Sequence, residues 1–288
     1  MAYLIHLAII SSLYAILGIS LNLVVGYAGL LSVTHAAFYG IGAYTTALLT
    51  LYAGWGFFTS LVCGMAIAGC AACGIAIISG RFKGDYYALV SFGFNIIVFS
   101  ILLNWQTLTR GPLGIPGIPR PVVLGMPLVQ NGHFLLLALA LLGVVYMASE
   151  WIARSPFGRA LKGIREDEEV LRVFGYHVAT YKTIICSISA MCAAVAGSLF
   201  ASYISYIDPS TFTLNESIFI LSIIILGGLA NMRGSIVGAL IFVLLPELLR
   251  FVGFPPDIAA QTRQVVYGLI LILLMMYRPQ GIMGEYAL

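Results

Sequence analysis

Residues 1–26, MAYLIHLAIISSLYAILGISLNLVVG, contain no Asp, Glu, Lys or Arg, and the charge-free text continues to Gly80; the first charged side chain is Arg81. An apolar run of that length holds about three spans of ~20 residues, the length a helix needs to cross a bilayer. The 288-residue chain as a whole is 61% hydrophobic and 9% charged, against about 25% charged residues in soluble domains. Such a chain cannot cover itself with a water-facing surface, which excludes a soluble enzyme and a nucleic-acid binder. With mean hydropathy +1.02, its length is taken up by repeated crossings. The expected fold class is all-α, a polytopic integral-membrane helical bundle forming one transmembrane domain over residues 1–288.

Hydropathy places spans near 2–25, 30–51, 56–79, 86–104, 132–151, 181–206, 216–232, 235–252 and 264–279, about nine in all with eight to ten as the range. The first stretch lacks the basic flank of a signal peptide and is expected to be the first span. Between the fifth and sixth spans lies the one long polar stretch, residues 152–180. It and its flanks carry Arg154, Arg159, Lys162, Arg165, Arg172 and Lys182. Placing it in the cytoplasm also puts Arg81, Lys83, Arg233 and Arg278 there, leaving Arg110, Arg120, Arg250 and Arg263 outside, the bias that orients membrane proteins. Alternation then puts the N-terminus outside. An N-inside topology with a re-entrant segment in the Gly-rich 26–42 region also fits. Residues 105–131 form the main external loop, whose Pro and Gly residues favour an extended but compact path.

Few residues offer chemistry. No GxxxxGK[ST] loop follows any of Lys83, Lys162 or Lys182, so the chain carries no ATP-binding loop of its own. No GxSxG selects a nucleophile, His6, His35, His133 and His177 lack metal-ligand spacing, and no catalytic or metal residue is assigned. Cys70 and Cys73 form a CxxC among Ala, Gly and Ile, which reads as small-residue helix packing. Gly234 and Gly238 form a GxxxG with the same meaning. Asp85 reads as a helix start, and Glu247 with Arg250 as an i,i+3 pair.

Two stretches remain informative. Residues 22–35 combine Asn22, Ser32, Thr34 and His35 with small residues inside an apolar region. These groups either hydrogen-bond between helices or line a pathway, with Asn22, Ser32 and His35 as the pathway candidates. A pathway without unpaired mid-span charge suits a small solute of zero net charge. In residues 155–175, SPFGRALKGIREDEEVLRVFG, a basic run is followed by Glu166, Asp167, Glu168 and Glu169, with apolar residues at near-helical spacing. Composition fits a docking helix and a solvated connector equally.

Read together, LNLVVGYAGLLS at 21–32, HAAFYGIGAY at 35–44, GDY at 84–86, GIPGIP at 114–119, SPFGRALK at 155–162, IRED at 164–167, LGGL at 226–229 and RPQGI at 278–282 resemble the permease subunits of branched-chain amino acid ABC transporters. This is the LivH/LivM family, and the LivM type is the most similar. The resemblance implies an importer permease of the bacterial cytoplasmic (inner) membrane working by alternating access, with no cofactor of its own. It implies a LivH-like permease as heterodimer partner, two cytoplasmic ATPase subunits that bind ATP and Mg, and a periplasmic or lipid-anchored solute-binding protein. It also makes 152–180 the ATPase-coupling loop, with Arg159, Lys162, Arg165, Glu169, Leu171 and Gly175 as contacts. Glu169 and Gly175 keep the six-residue offset of the EAA-type loop, although the triplet here is Glu-Val-Leu. Family relatives also carry urea, short amides and aromatic compounds, and ion-coupled secondary transport is the alternative from outside the family.

Overall fold

The structure, a computed structural model, describes residues 2–80, 84–123, 126–251, 268–269, 276 and 280–284. Helix α1 (Ala2–Asn22) is apolar on all faces, the composition of a helix with no water-facing side. It passes without interruption into a π-helical turn, Leu23–Tyr27. The chain then leaves helical geometry at 28–34, with Gly29 at φ +68°, and re-forms as α2 (His35–Tyr52). Next come α3 (Phe57–Ser79), α4 (Asp85–Asn104), the single turn α5 (Gln106–Thr109) and α6 (Asn131–Arg154). Two short helices follow, α7 (Pro156–Glu166) and α8 (Glu168–Val173), before α9 (Val178–Ile204), α10 (Leu214–Gly227) and α11 (Met232–Phe251).

Each of the first eight expected spans coincides with a helix; the ninth, 264–279, falls largely outside the described residues, as do Arg81 and Lys83. Two boundaries differ. The second span begins at His35 rather than residue 30, because the Gly-rich segment opens the backbone. The seventh ends at Gly227, where Gly228 (φ +115°) and Ala230 (φ +59°) turn the chain into α11. Among the described residues, α1 with its π turn, α3, α4, α6 and α9 are long and apolar enough to cross a membrane, whereas α10 and α11 are shorter apolar helices. Helix α2 is diluted by Gly, Tyr and Thr; these are tolerated because it is enclosed by α3, α9 and α4.

Lipid tails are as apolar as leucine, so burial alone does not hold such helices together; close backbone approach does. A Cβ added at Gly42 would lie 2.4 Å from the Ala194 carbonyl oxygen, and one at Gly197 would lie 2.1 Å from that of Tyr39. Thr46 then donates to Ser198 across the same interface at 2.8 Å. The α10–α11 hairpin closes likewise: a Cβ at Gly238 would sit 2.3 Å from the Ile223 oxygen, which is the packing role read from the GxxxG. Ile115–Pro116, in the Pro/Gly-rich 105–131 segment, pair antiparallel with Tyr206–Ile207, tying that segment to the end of α9. At the opposite end lie 28–34, α7, α8 and 228–231, joined by hydrogen bonds described below.

Gly42→Val and Gly197→Val should each force backbone apart and cost about 1–3 kcal/mol or more. Gly74→Val and Gly143→Val, where an added Cβ meets nothing within 4 Å, should be tolerated. Thermal midpoints of the detergent-solubilised protein, followed by size exclusion, separate the two pairs.

Candidate functional site

The site grows from the interruption at 28–34. A helix broken within packed, apolar surroundings frees backbone groups that those surroundings cannot satisfy, so neighbouring side chains must do so. Val33 N–H donates to Ser91 Oγ (3.1 Å), and Asn95 Nδ2 donates to the Val33 carbonyl (2.9 Å). Ser217 Oγ receives both Asn95 Nδ2 (2.7 Å) and Ala36 N–H (3.0 Å), linking α4, α10 and the start of α2. Ser32 and Thr34 hydroxyls lie 2.8 Å apart. The His35 Nε2 is 3.1 Å from Ser189 Oγ of α9, and that hydroxyl donates to the Ser20 carbonyl. Both readings of the strip therefore have geometric content: His35 bridges helices through one nitrogen, while its buried Nδ1 has no partner among the described residues.

A small cavity of about 10 Å³, room for roughly one water molecule, lies beside these groups, lined by Val24, Ser32, Thr34, His35, Phe38, Ile75, Ser79, Tyr87, Ser91 and Cys186. Its polar groups are hydroxyls, an imidazole and a thiol; no Asp, Glu, Lys or Arg is among them. Ser32 and His35, two of the three sequence candidates, thus share one wall.

Asn22 sits elsewhere, fully buried, with its amide committed. Its Nδ2 faces the carbonyls of Gly228 (3.3 Å) and Asn231 (3.0 Å) and Ser235 Oγ (2.7 Å), while its Oδ1 accepts from Ala230 N–H (2.9 Å). One amide thereby braces the α10–α11 break against the foot of α1.

Residues 155–175 fold as two helices. Ser155 caps α7 by accepting from Gly158 N–H, with Pro156 in the first turn. Asp167 caps α8 through Glu169 and Val170 N–H. The turn after α8 is a Schellman closure, with Gly175 N–H on the Arg172 carbonyl, Tyr176 N–H on that of Leu171, and Gly175 at φ +87°. The coupling candidates divide by direction. Arg159 and Glu169 are exposed, and Gly175 is exposed with open space around its Cα. Leu171 turns inward, its Cδ1 2.9 Å from where a Cβ on Gly163 would stand. Lys162 lies 5.4 Å from the Tyr27 ring centroid, and Arg165 donates to the carbonyls of Val25 (3.3 Å) and Gly26. The exposed apolar residues are Val173 (88%) and Phe174 (73%), with Val170 and Tyr176 beside them.

Sequence reasoning missed several groups. Ser91, Asn95, Ser189 and Ser217 satisfy the backbone of 33–36 and the His35 ring, and of them Ser91 also lines the cavity; the visible signal was Asn95, an amide inside the apolar text SFGFNIIVF. Glu168 was passed over within an acidic run, yet it receives Lys182 Nζ at 2.7 Å and also Arg172, with the Lys182 side chain only 4% exposed. This pair fixes α8 to the start of α9.

The sequence matches, over residues 3–275, the family model described as branched-chain amino acid transport system / permease component. It is 35% identical to the high-affinity branched-chain amino acid transport system permease protein LivM of Escherichia coli K12, over 97% of this chain and 69% of that protein. Identity to the probable LivM of Methanocaldococcus jannaschii is 26%, over 95% and 91%. Identity to LivH of Escherichia coli K12 is 25%, over 96% and 92%. No solved structure matches.

Removing the Asn22 amide takes the side-chain partner from the Ala230 N–H and the Gly228 carbonyl, while the Asn231 carbonyl keeps Ser235 N–H. Asn22→Ala should therefore destabilise the protein by about 2 kcal/mol or more, read as a thermal midpoint shift. Ser32→Ala, which removes a hydroxyl–hydroxyl contact and a long bond from Thr34 N–H (3.5 Å), should cost less, about 1 kcal/mol.

Proposed function

The chain belongs to the branched-chain amino acid transport permease family and is of the LivM type, and from that premise we propose that it is the membrane subunit of an ATP-driven importer for small solutes of zero net charge. Branched-chain or other hydrophobic amino acids are the preferred class. The observation that carries this reading is the cavity: it is polar without being charged, it sits where α1–α2 is interrupted, and its wall combines hydroxyls with Phe38, Ile75 and Val24. Closed to about the size of a water molecule in this structure, the cavity offers a zwitterion or neutral amide donors, acceptors and an apolar surface once alternating access widens it. A net ion would be left uncompensated. Ser32 and His35 are the pathway residues in this reading, and Asn22 is a brace.

Function requires partners. A LivH-like permease completes the pathway as a heterodimer in the inner membrane, and a solute-binding protein delivers cargo on the external side, where residues 105–131 lie. Two cytoplasmic ATPase subunits bind ATP and Mg and drive alternating access. Docking of one of them on α7–α8 is supported by the exposed Val173 and Phe174 at the end of a charged, water-facing element, since large apolar side chains grouped there mark an interaction surface. The Lys182–Glu168 pair and the Schellman turn hold that surface in place, and Arg159, Glu169 and Gly175 border it.

Uptake into proteoliposomes containing the complete complex tests the solute class. Leucine should be taken up in preference to fully ionised anions or dications, and His35→Ala should change solute preference or rate at unchanged protein abundance. Preferential uptake of a net ion would refute the reading. Docking is tested separately: Phe174→Asp places a carboxylate in the contact at a cost of several kcal/mol, so the variant should insert normally yet lose its ATPase on purification. Lys162→Gln, on the inner side of α7, should keep it.

A further inference from the structure

Arg165 was grouped by sequence with the ATPase contacts, but its side chain runs the other way. Its Nη1 donates to the carbonyls of Val25 (3.3 Å) and Gly26, the last turn of the π-helical foot of α1. Those carbonyls belong to a helix C-terminus, where they have no partner within the helix and where positive charge is favoured. Beside them Lys162 stands over the Tyr27 ring at 5.4 Å. Gly29 follows so closely that a Cβ there would lie 2.7 Å from Arg165 Cγ. Three residues after Gly29 comes Ser32 on the cavity wall.

We propose that Arg165 is a positioning residue that transmits movement of the ATPase-docking helices to the solute cavity, by clamping α7 to the π-helical turn from which the 28–34 segment hangs. The proposal rests on the docking reading above and adds the route by which docking reaches the pathway. Arg165 contacts the Val25 and Gly26 carbonyls and Leu171 of α8 packs on Gly163 of α7, while from Gly29 to Ser32 the link is the chain itself. Leu161 and Ile164 on the same helix are buried in the chain's own core, so α7 moves with its inner face attached. The π turn is held on its other side by Asn22, whose Oδ1 would meet a Cβ on Gly26 at 1.9 Å. A displacement of α7 relative to the α10–α11 break is therefore resolved within Val25–Thr34, where the backbone is already out of helical register. A π turn is the kind of local irregularity that concentrates at working sites.

The test uses the complete complex with its partner permease, ATPases and binding protein in proteoliposomes, comparing the parental chain with Arg165→Gln. Two quantities are read: leucine taken up per ATP hydrolysed, and hydrogen exchange of residues 23–35 with and without ATP and vanadate. The parental complex should show a nucleotide-dependent change in exchange at 23–35. In Arg165→Gln the ATPases should remain bound and that change should disappear. Uptake per ATP should fall by about tenfold or more, the scale set by losing hydrogen bonds to a charged group. Arg165→Lys, which keeps the charge, should restore part of the coupling. A purely local packing role would lower thermal stability and leave the exchange response intact, and that result overturns the proposal. Loss of the ATPases from Arg165→Gln also overturns it, by making Arg165 part of the docking contact. Retention of the ATPase by Phe174→Asp overturns the docking reading itself, and the transmission route falls with it.

Discussion

A backbone that leaves helical geometry inside a bilayer must find hydrogen-bond partners within the protein, because the lipid offers none. Packed protein surroundings impose the same demand on the breaks at 28–34 and 228–231, and buried polar side chains of neighbouring helices are directed at them. Asn22 satisfies the second, Ser91, Asn95 and Ser217 satisfy the first, and Arg165 closes the carbonyl end between them. The same few polar side chains that would be costly in an unbroken helix are what make an interrupted one stable. The cavity is the space this arrangement leaves.

Around the interruptions the helices are held by contact of backbone on backbone. Gly42, Gly197, Gly227 and Gly238 all stand where a Cβ would overlap a neighbouring main-chain atom. Most of the large exposed apolar side chains, such as Val62, Ile78, Leu89 and Ile97 on α3 and α4, lie on the outside of the bundle instead. The distribution is inverted relative to a water-soluble protein, with small residues at the seams and bulky ones at the periphery, as expected when the solvent is hydrocarbon.

The helical architecture was legible because it depends on length and apolarity, which a one-dimensional reading measures directly. The interruptions were half legible: the glycines of 26–42 signalled a break, but where α2 resumes depends on partners at Ser217 and Ser189, some 150 to 180 positions away. Ser32 and His35 were found because they are polar within an apolar text. Asn22, found by the same signal, proved to be committed to the backbone of the turn between α10 and α11. The direction of Arg165 and Leu171 was not legible at all. On so short a helix every face carries charge or an aliphatic group, and only the position of the π turn decides which face is inner. Glu168 was hidden because four consecutive acids look alike until one of them meets Lys182.

The α2–α9 seam carries a mechanical implication. Helices that meet through large interdigitating side chains can slip by a ridge when rotamers change, but Gly42 on Ala194 and Gly197 on Tyr39 leave no side chain in the gap to rearrange. The two helices also run in the same direction and are pinned near mid-length by Thr46 and Ser198. They consequently behave as one stiff strut, and any large excursion of the pair has to be absorbed at its ends, in the irregular backbone of 28–34 on one side and of 205–213 on the other.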